Sequence, residues 1–169
     1  MPIAEADVQI RISGGASNTN VNASIGGVMS STVLVNNVLN NLFEDVLGTE
    51  SQSGEEKYRL VYILNAHATL TMKNIKVYVA SNSTAPTEEY DLGLAAAGLN
   101  ATETAIADQF TVPAGVSFSH PTTDAGGLAP VNIPAGQRYG VWVKEIIDAG
   151  STAKDNNTTI INLDYDSAE

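Results

Sequence analysis

Two histidines, His67 and His120, are the first residues in this chain that could carry chemistry. Neither belongs to an H-x-H or H-E-x-x-H spacing, which would bring two imidazoles onto one metal ion, so a histidine-led metal site is not expected. His67, in the Asn65-Ala66-His67 turn, and His120, before Pro121, read as loop residues without partners. The absence of cysteine excludes thiolate nucleophiles, zinc thiolate centres and iron–sulfur clusters. Serines are frequent, but no G-x-S-x-G elbow occurs, and Ser17 in GGASN is explained by turn preference. Neither glycine-rich phosphate cradle is present. Two carboxylates suffice for glycoside hydrolysis, yet Glu44 with Asp45, Glu55 with Glu56 and Glu88 with Glu89 fall at element ends or in loops. Asp155, Asn156 and Asn157, and then Asp164 with Asp166, come nearest to a calcium loop without matching the EF-hand spacing. The expectation is a protein with no catalytic residues, no cofactor and no metal.

The composition narrows the class further. The chain has 169 residues, of which 16% are charged, against about 25% in soluble domains, so a single domain over 1–169 with an under-charged surface is expected. Eight basic residues against 19 acidic ones give a formal charge of −11. The basic residues are scattered from Arg11 to Lys154. That disfavours phosphate backbones, which are bound by clustered Lys and Arg, and anionic membrane surfaces likewise. The opening MPIAEADVQI has Glu5 and Asp7 where a signal peptide needs basic residues, so cytoplasmic synthesis is expected. No apolar run reaches the roughly 18 residues of a membrane span; LGLAAAGL at 92–99 comes nearest.

The elements that would position any site show one anomaly: positions 12–43 contain no Asp, Glu, Lys or Arg. Residues 12–30, rich in Gly, Asn and Ser, read either as a surface loop or as an uncharged arm. Such an arm can lie along a neighbouring subunit without desolvating charge. On the arm reading, Asn18, Asn20 and Asn22 are partner-binding residues, and deleting residues 2–27 leaves the rest folded. Beyond them Val35, Val38, Leu39, Leu42, Phe43, Val46 and Leu47 recur at helical spacing, which predicts a short amphipathic helix over 33–47. Its apolar face, including Val35, Leu39, Leu42 and Phe43, closes the core or meets a partner.

Downstream the period changes to two. Strands are predicted at 58–64 and in ATLTMKNIKVYVAS, where the alternation slips at Asn74 and implies a bulge near Lys73 and Asn74. Further candidates are 90–94, 104–111, 116–119 and 128–133, and the strongest are 139–147 and 158–165. TVPAG and NIPAG are repeated turn chemistry. An all-β fold is expected, a jelly-roll-like antiparallel sandwich with one helix near the N-terminus.

LNNLFEDV, EEKYRLVYILNAHATLTMKNIKVYVAS, IADQFTVPAGVSFSHP and VNIPAGQRYGVWVKEI together resemble tailed-bacteriophage virion structural proteins, most of all the small decoration or cement proteins of the head. The resemblance covers most of the chain. It implies a non-enzymatic protein on the capsid exterior that bridges subunits of the major capsid protein, self-associated as a homodimer or homotrimer, with no nucleic acid and no membrane as partner. Tail or baseplate placement is the neighbouring expectation. The rival is a carbohydrate-binding module, for which Trp142, Tyr139, Tyr78 and Tyr62 would supply the stacking platform.

Overall fold

A computed structural model describes residues 2–85, 87–152 and 157–168. Strands β1 (Val8–Ile12), β2 (Glu55–Asn65), β3 (Thr71–Ser81), β4 (Glu88–Leu94), β5 (Phe118–Ser119), β6 (Arg138–Ile147) and β7 (Ile160–Ala168) form two antiparallel sheets. The larger has the order β1-β2-β6-β4-β5, and β3 pairs with β7 in the smaller. Val61, Ile63, Leu92, Val141 and Val143 from the first meet Ile75, Val77 and Val79 from the second in a single cluster. Very little of the chain is helical.

The longest strands follow from their residues. β2 is buried on both faces from Lys57 to Ile63, which fits the unbroken apolar run Leu60–Leu64. Its outward residues Tyr58, Leu60 and Tyr62 join Trp142 and Ala95 in a second cluster, covered by Met29, Ile106 and Val116 from loops and by Phe118 from β5. Those loops come close because Gly93 and Gly140 lack side chains. A Cβ at Gly140 would stand 2.7 Å from that of Ala95, and one at Gly93 would stand 2.5 Å from Val116 Cγ1. In β3 the expected slip is present: the register shifts between Lys73 and Lys76, and Asn74 has φ +51°. Lys73 and Asn74 both point away from the core, after which Ile75 is buried.

The helix over 33–47 does not form. Asn37 and Asn40 adopt positive φ, +58° and +55°, a left-handed conformation that asparagine tolerates and a right-handed helix cannot include. The segment is a series of turns. Leu42 and Phe43 are buried, while Val35, Val38, Leu39 and Leu47 are exposed. The one α-helix among the described residues, α1, is Gly48–Ser53. It starts with Glu50 Oε2 accepting from the Leu47 N–H at 2.7 Å and ends at Gly54, φ +78°.

Residues 12–30 are a loop folded onto their own domain. Ile12, Ser13, Ser24 and Ser30 are buried. Ser24 Oγ donates to the Leu60 carbonyl at 2.6 Å, and the Leu60 N–H donates to the Ser24 carbonyl at 2.7 Å. Because β1 is itself a sheet strand, a deletion of 2–27 removes part of the fold, contrary to the expectation for a free arm. Two strand candidates also fail as ladders. Residues 104–111 turn where Asp108 Oδ1 accepts from Phe110 N–H at 3.0 Å and Thr111 Oγ1 at 2.9 Å. Residues 128–133 touch β3 through isolated bridges at Leu128 and Ile133, since Pro130 between them has no N–H to donate.

Candidate functional site

Cross-strand register assembles a polar row on the inner face of the large sheet. Lys57 on β2 lies opposite Glu145 on β6, which lies opposite Tyr90 on β4. Lys57 is fully buried, with its Nζ 2.9 Å from Glu50 Oε2 and 3.8 Å from Glu145 Oε2. Tyr90 Oη donates to Glu145 Oε1 at 2.9 Å, whereas Glu145 Oε2 accepts no hydrogen bond among the described residues. Burial pushes the Glu145 carboxyl up to about 7, against the opposing effects of the Tyr90 hydrogen bond and the Lys57 charge. Glu88 is raised too, by burial, although its Oε2 accepts from Ser83 Oγ at 2.9 Å.

Arg59, two residues along β2, holds a second cluster. Its guanidinium stacks 5.5 Å from the Phe43 ring centre and donates to Gln109 Oε1 and, at 3.2 Å, to Asn22 Oδ1. Asn22 and Gln109 in turn each donate to Glu44 at 3.1 Å. The uncharged segment is thereby anchored to the sheet through Arg59.

Above the inner face opens a groove of about 990 Å³, bordered by residues 36–46 on one side and 157–161 on the other. Val61, Val141 and Val143 form its floor, Glu88, Tyr90 and Glu145 line it, and Val38, Leu39, Val46, Ile160 and Ile161 are the exposed apolar members of its rim.

The structure redistributes the residues expected to bind a partner. Asn18 Nδ2 donates to the Ser13 and Asn20 carbonyls at 2.6 and 2.9 Å, and Asn20 Oδ1 accepts from the Asn22 N–H at 3.0 Å. These side chains are committed to their own loop. Leu42 and Phe43 anchor, while Val35 and Leu39, 60% and 74% exposed, present apolar surface. Trp142, Tyr62 and Tyr139 are buried in the core, and the Tyr78 hydroxyl donates to Asp164 at 2.9 Å, so a stacking platform is not assembled from them. Of the calcium candidates, Asp155 and Asn156 lie outside the described residues. Asn157 Oδ1 accepts from Ser83 and Thr84, and Asp166 accepts from Asn74 at 2.7 Å.

His67 Nδ1 accepts the Thr69 and Leu70 N–H groups, a turn-holding role. His120 has the neighbours that sequence reading missed: its Nδ1 lies 3.2 Å from Glu89 Oε1 and 3.7 Å from Asp91 Oδ1. The same nitrogen is 2.7 Å from the Tyr90 carbonyl, which orients it as a donor, and Lys144 supplies a cation 3.0 Å from Asp91 Oδ2. Glu89, Asp91 and His120 thus gather three potential metal-ligand atoms within 4.8 Å of one another, with His120 Nδ1 engaged by the Tyr90 carbonyl and Asp91 Oδ2 by Lys144. The spacing of Glu89 and Asp91 on alternate positions of a strand was the available signal; the fold brings His120 to them from thirty residues away.

In comparisons with protein-family models, curated proteins and solved structures, nothing matches this chain.

Proposed function

We propose that this protein is a non-enzymatic virion structural component that binds the outside of an assembled phage capsid, bridges major capsid protein subunits and itself associates as a dimer or trimer. In this reading the two-sheet domain has jelly-roll-like connectivity. The observation that carries the proposal is the exposed apolar strip Val35, Val38 and Leu39, set in a stretch without charge from 12 to 43 and clamped by the buried Leu42, Phe43 and Arg59. An apolar strip anchored by buried neighbours favours association, since burying it does not incur the desolvation of charge. The acidic balance of the chain keeps nucleic acid away while the strip meets protein.

Co-sedimentation of the purified protein with phage heads stripped of their accessory proteins tests this. Wild type should bind saturably, and Val38→Asp with Leu39→Asp should abolish binding while the melting temperature stays within a few degrees. Undiminished binding by the double variant would refute the assignment of the strip.

A further inference from the structure

We propose that the groove over the inner face is a binding site for a small apolar monocation, a hydrocarbon body bearing one ammonium group. This goes beyond the capsid reading and does not depend on it. The volume, about 990 Å³, lies at the upper end of the roughly 300–1,000 Å³ of small-molecule sites, which combine apolar walls with a few placed polar groups. Here the floor is Val61, Val141 and Val143, and the polar group is Glu145, which lines the groove yet is only 2% exposed and whose Oε2, 3.8 Å from Lys57 Nζ, accepts no hydrogen bond among the described residues.

Charge selects the ligand. The groups facing Glu145 are Lys57 and Arg59 from β2, Glu88 and Tyr90 from β4, and Glu50 from α1, with Glu44 set against Arg59. Among the described residues two cations thus meet four carboxylates. A buried excess of negative charge is costly in a medium of low dielectric, and a ligand that brings one positive charge relieves it. A fatty acid or other anion would add to the excess, and Glu44 and Asp45, which also line the groove, disfavour its approach. The ammonium belongs at the Glu145 end and the hydrocarbon along the valine floor, reaching the apolar rim at Leu39 and Ile161.

The probe for the test is the rod-shaped fluorophore trimethylammonium-diphenylhexatriene, with uncharged diphenylhexatriene as its control. One cationic probe per chain should bind at pH 8 and be displaced by decyltrimethylammonium below its micelle concentration; the uncharged control should bind at least about tenfold more weakly. Because a carboxyl titrating near 7 goes from about 90% to about 10% ionised between pH 8 and pH 6, affinity for the cation should fall about tenfold over that interval. Glu145→Gln should weaken the cationic probe by about tenfold at pH 8 and leave the control unchanged. Should that variant fail to fold, the wild-type pH series decides alone. Absence of saturable binding, equal affinity for charged and uncharged probes, or an affinity that ignores pH would each overturn the assignment.

Discussion

Replacing Glu145 by Gln gives the sharpest test of the inner-face electrostatics. In the folded protein this carboxyl is raised from 4.5 to about 7, with burial the main cause. The folded state therefore holds the proton more tightly than the unfolded chain. The resulting stability is fully present below pH 4.5 and is lost as pH rises through 7, the direction opposite to that of an ordinary ion-paired carboxylate. Because Glu145 is 2% exposed, solvent screening does not reduce the effect much, and the raised value corresponds to about 3 kcal/mol. Gln keeps the shape and removes the titration. Lys57 retains Glu50 at 2.9 Å in the variant, so no ammonium is stranded. Urea unfolding at a series of pH values from 4 to 8 should show wild type losing about 3 kcal/mol relative to Glu145→Gln between the ends of that range. Curves that stay parallel within about 0.5 kcal/mol would show that the carboxyl does not titrate differently in the folded protein, and the reasoning about a buried anion excess would fall with it.

Two other substitutions test the frame that holds this row. Trp142→Ala should cost about 3–5 kcal/mol in chemical denaturation, because the ring is fully buried and its loss leaves a cavity between sheet and covering loops. Asn74→Val should destabilise by about 1–2 kcal/mol because φ is +51° there and a branched residue resists that conformation, whereas Asn74→Gly should stay within about 0.5 kcal/mol of wild type; equal effects of the two in thermal melts would contradict the bulge.

The strands were largely legible because period two survives locally: the Tyr58–Leu64 and Tyr139–Ile147 alternations lie within β2 and β6, and the slip at Asn74 is the bulge of β3. Strand β1 passed unread, since VQIRI is short and acquires its meaning from pairing with Val61–Asn65. The 33–47 segment was misread for a related reason. Apolar residues at i, i+3 and i+4 arise in turns as well as helices, and the left-handed asparagines at 37 and 40 leave Leu39 in solvent and Phe43 in the core.

The amino-acid sequence by itself determined an acidic, cysteine-free, all-β chain without recognisable catalytic motifs, because composition and short-range periodicity are properties of neighbours along the chain. What the tertiary structure alone decided is which distant groups share a dry space. Lys57, Tyr90 and Glu145 stand on three strands and meet through register, and Asn22, Arg59 and Gln109 meet because loops close over the sheet. Charge burial, and a carboxylate oxygen that accepts no hydrogen bond among the described residues, are consequences of that meeting, and no spacing along the chain encodes them.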